Sequence, residues 1–221
     1  MLASNRLLVA ASAGLFIALC AGVARSGAPV PSIDAADLGQ GPYSSMHMLL
    51  QKTVLHINVA HIDVRFDKPT QAKLTAIAGG KPYSNTLDYQ VAQTVMDAPR
   101  AVVQMKFVRD IPFNRWVDVV KENLEQARGA GLISKEVEER VGANLQVWFA
   151  AIKDRGYEKG DRLIYAPARD GLRTVVVATN GQVFVDRFDA GAEPGRVVLA
   201  SYFTPKSDFR EPLIRSLFES R

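Results

Sequence analysis

The stretch RLIYAPARDGLRTVVVATNGQVFVDRF, residues 162–188, decides the fold. Runs rich in β-branched residues alternate in it with short turn signals. Arg162 to Ala166 reads as a strand, Arg169-Asp170-Gly171 as a turn and Leu172 to Thr179 as a second strand. Asn180-Gly181 is the pair that a two-residue type I′ hairpin demands, because both central residues take positive φ. Gln182 to Phe188 is then the returning strand. Strands joined this tightly run antiparallel.

Upstream of this meander lie two amphipathic helices. In Phe113 to Ala130, Trp116, Val119, Val120, Asn123, Leu124 and Ala127 share one stripe, and Gly129 and Gly131 mark its end. In the second, Ser134 is the N-cap and Glu136 sits in the first turn, where the helix dipole favours an acid. Its stripe is Val137, Val141, Leu145, Trp148, Phe149 and Ile152, and Gly156 ends it. Further upstream, Ala101 to Phe107 reads as a strand, with short helices at Thr70 to Ala78 and Asp88 to Met96. Val54 to Phe66 reads as a long strand whose phase switches between Val59 and Ile62, which predicts a bulge or bend. Downstream, Val197 to Phe218 reads as a helix broken at Thr204-Pro205, then resumed after Ser207 or Asp208. Hairpin-joined strands with the helices grouped together predict an α+β fold with an antiparallel sheet.

Residues 1–24 read as an export signal. Arg6 precedes the uncharged stretch Leu7 to Ala24, and Gly22-Val23-Ala24 offers small residues at a cleavage site. The alternative is an uncleaved anchor, since this stretch lies at the lower edge of a membrane span. Leu19 is bulky where a lipoprotein site at Cys20 wants a small residue. Residues 25–42, with Gly27, Pro29, Pro31, Gly39, Gly41 and Pro42, read as a linker, and residues 43–221 as the folded domain. The expected location is outside the cytoplasm, periplasmic or envelope-associated, with membrane contact only through an uncleaved N-terminal segment.

The whole chain is 221 residues, 48% hydrophobic, 23% charged and 8% aromatic, with a formal charge of +4. That composition excludes a disordered chain and a disulfide-stapled mini-protein. Basic residues are interleaved with acidic ones, as in Lys153-Asp154-Arg155, so no basic face for nucleic acid is expected. Cys20 is the single cysteine, and a chain processed after Ala24 would carry no thiol chemistry. The sequence contains no G-x-G-x-x-G, no G-x-x-x-x-G-K-[ST] and no G-x-S-x-G. The histidines are His47, His56 and His61, and the latter two read as ordinary strand residues rather than a metal pair. Neither a cofactor nor a metal is expected.

Asn123 stands out on the first long helix. It shares the Trp116 face, two turns on, with otherwise apolar neighbours. Either its amide is satisfied within the core, or it points into a ligand cavity.

From these residues the chain resembles the chalcone isomerase family. Trp116 to Asn123 is similar to an aromatic-x-x-x-V-x-E-N helix. GLISKEVE (131–138), KGDRLIY (159–165), the Ala168 to Gly171 turn, Val198-Leu199-Ala200-Ser201 and Lys206-Ser207-Asp208 follow in matching order and spacing, and Lys52 to Arg65 matches a long strand. The resemblance runs from Met46 to Phe218. It implies an open-faced β-sandwich, a large antiparallel sheet packed against a layer of helices, with an apolar cleft between. The family contains true isomerases, fatty-acid-binding relatives and non-catalytic homologues.

Carried onto this chain, the resemblance implies a ligand site of Met46, Asn58, Trp116, Asn123 and Ser201. Asn123 and Ser201 keep the family's residue types. Asn58 stands at the place of a strand threonine, Trp116 at that of a tyrosine, and Met46 at that of the family arginine. No arginine occurs between Arg25 and Arg65, so the cation that anchors a phenolate or a carboxylate is missing. His47, Lys52 or His56 are the nearby substitutes. The first expectation is therefore a non-catalytic protein that binds an apolar or fatty-acid-like small molecule. The alternatives are an isomerase or intramolecular lyase on an enone-type substrate, using Asn58, Asn123 and Ser201, and a structural or partner-binding protein of the envelope.

Overall fold

Strict alternation of apolar and polar side chains builds one sheet with a buried and an open face. The computed structural model describes residues 45–52 and 57–219. Residues 1–24, the 25–42 linker, Cys20 and His56 lie outside the described residues. The strands are β1 (Ser45–Lys52), β2 (Ile57–Phe66), β3 (Ala101–Phe107), β4 (Arg162–Pro167), β5 (Gly171–Val177) and β6 (Val183–Ala190). They form one six-stranded sheet in sequence order, every neighbouring pair antiparallel. The helices are α1 (Lys68–Ala78), α2 (Asn85–Met96), α3 (Phe113–Gly129), α4 (Lys135–Trp148), α5 (Ala192–Phe203) and α6 (Arg210–Arg215). The chain is thus α+β, with the sheet-and-helix-layer architecture of an open-faced sandwich.

Met46, Met48 and Leu50 of β1, Ala60, Ile62, Val64 and Phe66 of β2, and Val103, Met105 and Phe107 of β3 face inward and are buried. Between them His47, Leu49, His61, Arg65 and Lys106 stay exposed on the open face. The helices cover the inner face: α5 lies on β4 and β5, α6 on β1, and α3 lies against α4 and α5. Asp67 caps α1 by accepting from Thr70 N–H at 2.8 Å, and also accepts from Arg100 N–H at 3.0 Å, which ties α1 to the start of β3. Ser134 caps α4, accepting from Val137 N–H at 3.3 Å. No helix among the described residues is long and apolar enough to cross a membrane.

Two local expectations need correction, and the phase switch resolves as the bulge expected of it. The 54–66 stretch is not the first strand of the sheet; β1 precedes it as a separate edge strand. The phase switch in that stretch is a bulge: Leu50 pairs with Ala60 and Gln51 with Asn58, so Val59 has no opposing residue on β1. The hairpin at Asn180-Gly181 is one residue wider than a type I′ turn. Gly181 N–H donates to Ala178 O at 2.9 Å and Ala178 N–H to Gln182 O at 2.8 Å, leaving Thr179, Asn180 and Gly181 as a three-residue loop. Gly181 takes positive φ there, at 88°, as the last position of such loops requires.

Candidate functional site

Between the inner face of the sheet and helices α3, α4 and α5 lies a cavity of about 610 Å³. Leu50, Val59, Met105, Phe107 and Leu163 form its floor, and Val119, Val120, Val141, Leu145 and Trp148 form much of its roof. The roof follows from the two amphipathic stripes, because α3 and α4 turn their apolar faces toward the sheet without filling the space. Trp116 closes one wall. It sits in an aromatic cluster, with ring centroids 4.6 Å from Phe149, 5.5 Å from Tyr157 and 5.7 Å from Phe113.

Polar groups enter this apolar space at few places. Tyr165, Thr174 and Arg187 all line it, and the strand register puts them in one row: Tyr165 pairs with Thr174, and Thr174 with Arg187. Directly paired residues on antiparallel strands share a face, so the three side chains rise side by side. Arg187 donates through Nε to Asp189 Oδ2 at 2.9 Å, and through Nη2 to the same oxygen. Its guanidinium lies 3.8 Å from the centroid of the Trp148 ring, which ties β6 to the end of α4. Arg140 of α4 and Glu193 in the first turn of α5 also line the cavity and form an exposed ion pair with each other. Burial pushes the Tyr165 hydroxyl well above the ordinary tyrosine range, with Arg187 pulling the other way. Burial does the same to the Tyr202 hydroxyl, with Tyr165 adding to it. Both therefore stay protonated as neutral donors at physiological pH.

Of the five residues proposed from the sequence, the structure brings three together. Trp116, Asn123 and Ser201 all line the cavity. The Asn123 side chain has no hydrogen-bond partner among the described residues, which favours the cavity reading of that residue over the satisfied-core reading. The Ser201 hydroxyl donates to Val198 O at 2.8 Å, back into its own helix. Met46 and Asn58 are not among the lining residues. Met46 is fully buried at the other end of β1, beneath α6, where His47 N–H donates to Ser216 Oγ at 3.0 Å. Asn58 is exposed and accepts from Gln51 Nε2 at 2.9 Å on the open face. The bulge at Val59 is the cause: it flips the alternation, so the position before it turns away from the helices.

Sequence reasoning missed Tyr165, Thr174, Arg187 and Asp189. The signal was present in β6, where Val185, Arg187 and Asp189 alternate onto one face. Only the β5–β6 register shows that face to be the inner one. Among the described residues no group of His, Cys, Asp and Glu is placed to hold a metal ion.

No family model matches this chain, and no curated protein matches it. Among solved structures it is similar to a fatty-acid binding protein of Arabidopsis thaliana, with 14% sequence identity and a TM-score of 0.49, over 78% of this chain and 87% of that chain.

Proposed function

We propose that this chain is a non-catalytic binding protein that holds an apolar or amphipathic small molecule, with a fatty-acid-like chain, between its sheet and its helices. The observation that carries the proposal is the cavity. A space of about 610 Å³ walled by aliphatic and aromatic side chains falls in the size range of small-molecule sites. Left empty, it forfeits the dispersion contacts that a filled core has, so an apolar occupant gains what the protein's own side chains do not supply. Read with residues 1–24 as an export signal, the protein would carry out this binding in the periplasm or at the envelope.

The isomerase reading needs Asn58, Asn123 and Ser201 in one place. With Asn58 on the open face and the Ser201 hydroxyl donating to Val198, this set lacks converging donors for an enolate. The envelope-scaffold reading needs a filled core, which the cavity does not favour.

The test is native mass spectrometry of the protein from an export-competent host, followed by denaturing extraction. A stoichiometric co-purified amphiphile, or uptake of one added to the bare protein, is the expected result. A protein that comes out empty and takes up no added long-chain compound overturns the proposal.

A further inference from the structure

The polar row on the cavity floor says which end group the ligand carries; this step rests on the cavity being the ligand site. Tyr165 and Thr174 present hydroxyls that have no hydrogen-bond partner among the described residues, although Thr174 is only 4% exposed. Arg187 commits Nε and Nη2 to one oxygen of Asp189. Its Nη1 edge and the other Asp189 oxygen have no partner among the described residues. The Trp148 ring, 3.8 Å away, fixes the plane of the guanidinium. An apolar cavity thus has one polar corner, with several unused donors and one unused acceptor. These unused donors open into the cavity, where a ligand oxygen can meet them.

The charge of that corner sets the chemistry of what fills it. Asp189 neutralises Arg187 inside the site. An incoming carboxylate would share one guanidinium with a second carboxylate and bring a net negative charge into a partly buried place. An uncharged oxygen can accept from Nη1 or from a hydroxyl with no charge to desolvate, and a ligand hydroxyl can also donate to Asp189. The other charged lining groups do not alter this balance. Arg140 is paired with Glu193. Arg115 has no carboxylate partner among the described residues, but it is exposed, where solvent screens its pull.

We propose that Tyr165, Thr174 and Arg187 form a head-group site for an uncharged oxygen function (hydroxyl, ester or ketone) on an apolar chain, and that Asp189 acts as the gate against free carboxylates. Asp189 is a specificity determinant here. Its role is to occupy the arginine edge that a fatty acid would otherwise take.

The two tryptophans, Trp116 and Trp148, both line the cavity and report on binding by their own fluorescence. Titration with decane, decanol, methyl decanoate and decanoate at pH about 8, where the acid is ionised, compares heads on one chain. The expected order puts decanol and methyl decanoate at least about tenfold tighter than decanoate. Asp189→Asn frees Arg187 and reverses the order by raising decanoate affinity about a hundredfold or more. Tyr165→Phe and Thr174→Val serve where Asp189→Asn does not fold, each lowering decanol affinity several-fold more than decane affinity. Decanoate binding best to the unaltered protein, with that binding lost in Arg115→Gln, would place a charged head at the α3 end and overturn the assignment. So would an unchanged order in Asp189→Asn together with unchanged decanol binding in the two hydroxyl variants. If none of the four compounds binds, decane included, the cavity reading itself falls and takes the head-group site with it.

Discussion

Asn123 shows how one residue links the helix pattern to the cavity. It lies on the inward stripe of α3, where its amide faces apolar walls with no partner among the described residues. Asn123→Leu removes that unpaired amide and adds helix propensity. The ligand-free protein should therefore become more stable by about 0.5–1.5 kcal/mol in urea unfolding, while affinity for an oxygen-bearing amphiphile falls. A loss of stability instead would mean that the amide is satisfied in the bare protein. Gly156 is the opposite case, a residue with no room for change. It holds φ at 69°, and an added Cβ would stand 2.4 Å from Ile111 O, beside the pair of bonds joining Ile111 to Tyr157. Gly156→Ala should destabilise by about 2–4 kcal/mol, from left-handed strain and backbone clash together, read as a shift in the denaturation midpoint. Residues of these two kinds are legible in sequence, since a polar residue in an apolar stripe and a glycine after a helix both break a local pattern. Arg187 breaks no local pattern and Asn58 keeps one that a bulge then inverts, so neither could be placed without the register between strands.

At the scale of the elements, the helices were the most legible part. Each long helix carries a stripe and an end signal; α3 follows them to within a residue, while α4 starts after its Ser134 cap but ends at Trp148, where the expected helix to Gly156 gives way to a short 3-10 turn at Ala150–Ile152. β1 was the element missed. Its residues, SMHMLLQK, are poor in β-branched types, and its alternation of Met46, Met48 and Leu50 is too short to separate from a helical pattern. The element with the most consequence for function is α4. Among helices it packs chiefly on α3, where Arg128 also pairs with Glu138; Val137 adds an apolar contact with Val197 of α5, and the Arg140–Glu193 and Trp148–Arg187 pairs tie it to α5 and β6. Arg140, Glu193 and Arg128 are well exposed, so each ion pair contributes well under about 1 kcal/mol. On the side of α4 that faces the sheet, Leu145 is buried in the core, while Val141 and Trp148 are only half-buried and line the cavity. Helix α4 should therefore open before the sheet does. Amide exchange under native conditions is expected to be faster in residues 137–147 than in β3 to β5, and Glu193→Gln should speed it further. Uniform protection across α4 and the sheet would show the cover to be part of the rigid core, and entry of a ligand would then need another path.

At the scale of the whole molecule, the antiparallel sheet was legible from the short turns joining β4, β5 and β6, but the full six-strand order was not, because β1 went unread. The cavity was not, because its volume depends on how far α3 and α4 stand off the sheet, a quantity that no run of residues encodes. That stand-off makes the stability of the molecule depend on what it holds. A ligand at a hundredfold excess over its Kd stabilises a folded protein by about 2.7 kcal/mol through mass action alone. For a domain of this size that corresponds to a rise of roughly 5–10 °C in Tm, at about 2–4 °C per kcal/mol. The rise by itself would not place the ligand in the cavity, since any site on the folded form gives the same linkage. Filling the cavity from within separates the cases. Val120 lies on the roof and is partly buried, so Val120→Phe adds apolar volume where the native packing leaves space. That variant should melt at or above the Tm of the bare native protein and should lose most of the rise that decanol gives. A variant that melts as expected but keeps the full rise would put the amphiphile elsewhere on the molecule, and the cavity would then be only a packing defect.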